Sequence, residues 1–156
     1  MGTEDGDALI TSASGVPIAV MAADCLPVAL IGRSSSAVAH AGWRGLCAGV
    51  LESAVGAFPE TAPRAWIGPS IGPCHYQVGS EVVDAFRAAN PGAPEVYRPD
   101  GDRRFSFDLR AAARWLLRRA GAEVEEYDPP CTYCDPRFYS FRRDGLTGRH
   151  AAVVWR

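Results

Sequence analysis

The chain has 156 residues, 47% of them apolar and 22% charged, the make-up of a soluble globular domain long enough to bury a core. Its net charge is −2 and all sixteen basic residues are arginine, so no basic footprint for nucleic acid or an anionic membrane is expected. No apolar run reaches the roughly 20 residues of a membrane span, and the start MGTEDGDALITS lacks the basic and apolar regions of a signal peptide. The expectation is a cytoplasmic protein.

Four short β-like runs come first: ALIT, VPIAVMA, LPVALIG and AVAHA, bounded by Gly, Pro and Ser. Residues 45–58 then carry Leu46, Val50, Leu51, Ala54, Val55 and Phe58 at the spacing of one helical face. RAWIG predicts a strand, GPSIGPC a Gly/Pro loop, and SEVVDAFRAAN a helix. The clearest helix follows Asp108, a good N-cap, and runs through LRAAARWLLRRA to Gly121, a good residue just past a helix end. VEEY, RFYSFRR and HAAVVW read as closing strands, the last two joined across DGLTG. No repeat or linker divides the chain, so one domain over 1–156 is expected. Strands and helices mix without strict alternation, which predicts an α+β fold with a mixed sheet.

The hairpin DCLPVALIGRSSSAVAH carries the chemistry. With its turn centred between Gly32 and Arg33, facing residues have numbers that sum to 65, and Cys25 faces His40. Their Cβ atoms would then lie roughly 4.5–5.5 Å apart on one face. That suits two ligands of one metal ion, and it also suits a Cys–His nucleophile pair. Asp24 precedes the cysteine and Arg44 follows the histidine by four residues. A carboxylate, a thiol, an imidazole and a guanidinium would cluster at one sheet edge. Taken singly, each has a plainer reading: a buried thiol, a hydrogen-bonded histidine, a surface charge.

Five cysteines (25, 47, 74, 131 and 134) in a reducing compartment read as core thiols, ligands or nucleophiles before disulfides. PCTYC holds half of the zinc signature of nucleic-acid deaminases, but no His-x-Glu accompanies it. A lone Cys-x-x-Cys also suits a redox pair, but no thioredoxin-like context surrounds it, so Cys134 and Cys74 are expected to be incidental, and Cys131 has no evident role. FRRDGLTGR places Arg142, Arg143 and Arg149 about a tight turn, either a solvated turn or an anion clamp for phosphate.

MAADCLPVAL, AHAGWRGLCAGVLE, IGPSIGPCHYQVGSEV and CTYCDPRFYSFRRDGLTGRHAAVVW closely resemble the laccase-domain family, also called the multicopper polyphenol oxidases. The family includes a purine-nucleoside enzyme of mammalian macrophages. The resemblance runs from about Asp7 to Trp155. It implies an αββα-type sandwich and a zinc or copper site of one cysteine and two histidines. The activities it implies are phosphorolysis of purine nucleosides, adenosine deamination, or oxidation of phenols. Cys25 matches the family's cysteine ligand and His40 its second histidine. The first histidine, in a QVHG segment, has no counterpart here, so the match is to the family's C-terminal two thirds. His75 and His150 are the remaining histidines, and neither stands in a family ligand position.

The leading expectation is a metal-dependent purine-nucleoside enzyme. Zinc would sit on Cys25 and His40, Asp24 would act as acid or base, and Arg44, with Arg142 and Arg143, would hold phosphate. The alternatives are a copper-dependent phenol oxidase and a non-catalytic fragment or binding module. With one family ligand missing, weak metal binding is expected. An unpaired sheet edge would favour a homo-oligomer.

Overall fold

The hairpin that bears Cys25 and His40 forms the middle of the main sheet. In the computed structural model, which describes residues 6–59 and 62–156, the four leading runs become β1 (Ala8–Thr11), β2 (Ile18–Ala22), β3 (Leu26–Ile31) and β4 (Ser36–Ala41). β3 and β4 are antiparallel, with Ile31 facing Ser36 and Pro27 facing His40. The turn is longer than the sequence suggested, spanning residues 32–35 and closed by a 2.9 Å bond from Gly32 N–H to Ser35 O. The expected register is therefore corrected: facing numbers sum to 67, and Cys25 is a diagonal neighbour of His40 instead of its direct partner. A slip of two residues keeps both side chains on the same face, because strand side chains alternate with period two.

β1 flanks β4, and β5 (Arg64–Ile67) flanks β3, both antiparallel. β9 (Glu123–Val124) adds to β5 in parallel, giving a five-stranded mixed sheet in the order β1-β4-β3-β5-β9. Leu26, Val28, Leu30, Ala37, Ala39 and Ala41 face one side and are all but fully buried. That side is covered by α1 (Trp43–Cys47), α2 (Val50–Gly56), α3 (Ser80–Ala89) and α4 (Leu109–Arg119). Each fully buried Leu or Val contributes about 1.5–3 kcal/mol. Val38 points to the opposite face and packs against Val20 and Val154. There β2 pairs antiparallel with β10 (His150–Val154) as a two-stranded ribbon. The layers run helices, main sheet, ribbon: an α+β architecture with a mixed sheet. Among the described residues no helix is long and apolar enough to cross a membrane.

α4 matches its sequence signals. The Asp108 carboxylate accepts from the N–H groups of Arg110 and Ala111 at 3.0 and 2.9 Å, and Gly121 follows with φ +95°. Elsewhere the structure differs. The helix expected over 45–58 is broken at Gly49, whose φ of +78° starts α2 afresh. RFYSFRR is no strand; it ends in the short α5 (Phe141–Asp144). The N–H groups of Arg142 and Arg143 go to the Asp24 carboxylate and the Ser140 hydroxyl, so they cannot feed a ladder. Its apparent alternation leaves Tyr139 and Phe141 half exposed. β10 consequently pairs with β2, far away in sequence. β6 (Gln77–Gly79), β7 (Tyr97–Pro99) and β8 (Arg104–Phe107) form a small antiparallel sheet that the sequence did not announce, since three- and four-residue strands carry almost no periodicity.

Candidate functional site

A cleft of about 350 Å³ opens where the β2–β3 corner, the end of β4, the 68–76 loop and α5 meet. Cys25, His40, Asp24 and Arg142 line it together with Met21, Ile71, Tyr76, Phe141 and Arg149. Its size falls within the usual range for small-molecule sites.

His40 is the last but one residue of β4, so the sheet holds its backbone while its ring reaches the rim. The ring Nδ1 lies 3.0 Å from Asp7 Oδ1, and the ring also hydrogen-bonds the Cys25 sulfur. The bond to Cys25, reinforced by Asp7, raises the imidazole to about 9 against the opposing effect of burial. The imidazole therefore stays protonated at neutral pH unless a metal ion takes the proton's place. A carboxylate on one ring nitrogen, with the other free for a metal, is the usual arrangement around metal-bound histidine. Cys and His are also donors of the kind zinc takes. The donor chemistry fits, but the set is short: among the described residues no third His, Cys, Asp or Glu joins the pair as a mutually close group.

Gly42 follows β4 directly, and a Cβ there would stand 3.0 Å from the Cys25 sulfur. The sulfur thus rests on bare backbone. Gly42→Ala is expected to push the thiol aside and weaken metal binding at the pair about tenfold, with little change in melting temperature. Zinc titration beside a thermal melt checks this; unchanged affinity would show that the close approach is unimportant.

Asp24 is 8% exposed, and both of its carboxylate oxygens are engaged. Oδ1 accepts from the Thr132 hydroxyl and Oδ2 from the Arg142 N–H, each at 2.7 Å. Its φ of +91° is strained for a residue with a side chain. Those contacts make it a tie between the β2–β3 corner and the last fifth of the chain. The Arg142 side chain donates to Gln77 O at 2.9 Å and lies over the Tyr76 ring. Burial, with Cys25 alongside, pushes the Tyr76 phenol up to about 12, while Arg142 and Arg44 pull it the other way. Tyr76 thus remains a neutral hydroxyl at working pH.

Arg44 is exposed and stacks on Trp43, 4.4 Å from the ring centre. Its charge is felt at Tyr76, but it is not part of the cleft wall. Arg143, expected beside phosphate, is drawn off: its guanidinium donates to Thr132 O, Tyr133 O and Phe138 O and pairs with Asp144. Its donors hold loop backbone and are not offered to the cleft. Arg149 lines the cleft instead. Neither spare histidine joins the pair. His150 is half-buried against Phe138, and that burial lowers its pKa. His75 stacks on Tyr133 and contacts Cys134 at 3.2 Å. Sequence reasoning missed Tyr76 and Phe141; Tyr76 lies two residues past GPSIGPC and Phe141 opens FRRDGLTGR, but nothing local told a cleft wall from a loop.

The sequence profile described as multi-copper polyphenol oxidoreductase laccase matches residues 2–156. A purine nucleoside phosphorylase, YfiH of Escherichia coli K12, is 43% identical over 154 residues; the match takes in 96% of this chain and 63% of that protein. A purine nucleoside phosphorylase of Pseudomonas aeruginosa, PA4543, is also 43% identical, over 96% of this chain and 64% of its own length. The chain thus spans somewhat under two thirds of these relatives. Among solved structures, protein NMB0706 of Neisseria meningitidis superposes with a TM-score of 0.91 at 40% identity, over 99% of this chain and 66% of that one. YlmD of Geobacillus stearothermophilus gives 0.86 at 34% identity, over 96% and 60%.

Proposed function

Because the chain belongs to the multi-copper polyphenol oxidoreductase laccase family, we propose that its cleft is the site of a metal-dependent purine-nucleoside phosphorylase. The observation that carries this reading is the meeting of the Cys25–His40 pair with arginines and an aromatic wall in one cleft. Cys25 and His40 would hold the metal, zinc by donor type, leaving its other positions to ligands or water. Such an ion supplies positive charge for a phosphate or water oxygen.

The residues of the chain do the rest. Arg142 and Arg149, with Arg44 at the border, offer guanidinium groups to phosphate. Tyr76, Phe141 and Met21 line the cleft and would give a purine an apolar wall to pack against. Asp24 is a positioning residue: by holding the Arg142 backbone it fixes where that guanidinium starts. A phosphate oxygen attacks the anomeric carbon of the sugar as its bond to the purine nitrogen breaks. Copper-dependent phenol oxidation has less support. It calls for histidine-rich centres, and of the three histidines only His40 lines the cleft.

The test is turnover of inosine and adenosine with phosphate and added zinc, read as free base, with ammonia release scoring deamination. Activity of this chain alone is expected to be weak, since two protein donors hold a catalytic zinc loosely. His40→Ala is expected to lower turnover about 100-fold or more. Arg44→Ala and Arg142→Ala are expected to raise the phosphate KM about tenfold with little loss of thermal stability. Phosphate-independent turnover, or parallel loss of stability and activity in the arginine variants, would overturn the assignment.

A further inference from the structure

The cysteines that looked incidental in the sequence converge. Cys74, His75, Cys131 and Cys134 place one ligand atom each within 4.8 Å of one another. The Cys74 sulfur lies 3.7 Å from both the Cys131 and the Cys134 sulfurs, and Cys134 Sγ lies 3.2 Å from His75 Nδ1. In a tetrahedral zinc site with Zn–S near 2.3 Å, sulfurs stand about 3.8 Å apart and sulfur stands about 3.5 Å from nitrogen. Three of the six edges are already near these lengths, and the other three lie within 4.8 Å.

We propose that these four residues form a second metal centre, a closed Cys3His zinc site separate from the Cys25–His40 pair. Four protein donors leave no open position, which marks a structural site. On binding, the three thiols give up their protons to solvent, three S–Zn bonds and one N–Zn bond form, and nothing is oxidised or reduced.

The surroundings are built for it. The Gly72 N–H points at the Cys131 sulfur at 3.2 Å, and the Tyr133 and Cys134 amides bond the same sulfur. Three N–H donors on one sulfur suit a thiolate and act as outer support for a metal ligand. A Cβ on Gly72 would stand 3.3 Å from the Cys74 sulfur and 3.5 Å from the Cys131 sulfur, so bare backbone leaves the cluster room. His75 stacks on Tyr133 at 3.9 Å with 14° between the rings, which fixes its orientation. The ion would join the 68–76 loop to the 129–135 loop. Tyr76 is the last residue of the first, and Thr132, held by Asp24, lies in the second. A zinc here would therefore brace the Tyr76 wall of the cleft directly and the Asp24 wall through Thr132, without touching the contents.

The experiment loads the 156-residue chain with zinc under reducing conditions, removes loosely held metal by gel filtration, and measures zinc per chain. The same chain is loaded with cobalt(II) and read for thiolate charge-transfer and tetrahedral absorption bands. About one tightly held zinc per chain is expected, retained in Cys25→Ala and His40→Ala and reduced about tenfold or more in Cys74→Ser and Cys134→Ser. Cobalt bands of a tetrahedral multi-thiolate site are expected in the unmutated chain, which keeps the test valid if a serine variant fails to fold. Zinc that disappears with Cys25 or His40 instead, or a reduced chain giving no zinc and no thiolate bands, would overturn the proposal. So would a disulfide among these cysteines that persists under reductant and excludes the metal. The Cys25 and His40 variants separate failure of this site from failure of the cleft.

Discussion

Arg110→Met is expected to cost about 2–4 kcal/mol of stability, because it takes the donor from the Ser70 hydroxyl and from the half-buried Pro130 carbonyl, and one of two donors from the Ser70 carbonyl. Arg110 belongs to α4, and its side chain is only 8% exposed. Its guanidinium donates to the Ser70 hydroxyl at 3.1 Å, to Ser70 O at 2.7 Å and to Pro130 O at 3.0 Å. Asp128, at 3.4 Å and largely exposed, adds little. Pro130 O and the Ser70 hydroxyl carry the effect, at about 1–3 kcal/mol each once stranded, whereas Ser70 O keeps the Thr132 N–H at 3.0 Å. Arg110→Lys keeps the charge but loses the fork, so it should recover less than half. Denaturant unfolding with a constant m-value checks this, and a loss under about 1 kcal/mol would mean that water reaches the Pro130 carbonyl and the Ser70 hydroxyl. Ser70 and Pro130 lie in the same two loops that carry Cys74 and Cys131. The variant should therefore also loosen the cysteine cluster.

Asp24→Ala is the second large effect, with an expected cost of about 3 kcal/mol together with loss of cleft activity. The Thr132 hydroxyl and the Arg142 N–H both lose a charged acceptor, each such bond being worth about 1.5–3 kcal/mol. Alanine also tolerates the φ of +91° poorly. Asparagine accepts that backbone and keeps one acceptor oxygen, so Asp24→Asn should cost about half as much. Turnover should fall further than stability in both, since Arg142 is freed. If Asp24→Asn keeps full stability and loses all turnover, Asp24 takes a direct part in the chemistry and is more than an anchor.

Much of the site could be read from local pattern. The strand ends at Cys25 and His40 followed from apolar runs with small-residue borders, and the shared face survived the wrong register because the error was two residues. α4 was legible because its cap, its apolar face and its terminal glycine agree. RFYSFRR misled because alternation stands for burial only if a partner strand is present, and its amides are claimed by Asp24 and Ser140. Arg143 looked like an anion clamp because sequence shows the charge but not the carbonyls that absorb it. The cysteine cluster was hidden for the same reason: Cys74 and Cys131 are 57 residues apart in the chain, and only the docking of two loops makes them neighbours.

The ties at Asp24 span 108 and 118 residues of chain. Contacts that distant form late, because the entropy of closing the intervening loop must be overcome before any bond rewards it. The central hairpin and α4 are local and can form early. The cleft is a latecomer: it exists only after the last segment of the chain has emerged and folded back onto the first strands. A partly made or partly opened chain would keep most of its sheet while having nowhere to bind a ligand. By the same logic, a ligand that bridges the two ends would slow unfolding more than its contact area suggests, since it bonds together the segments that part first.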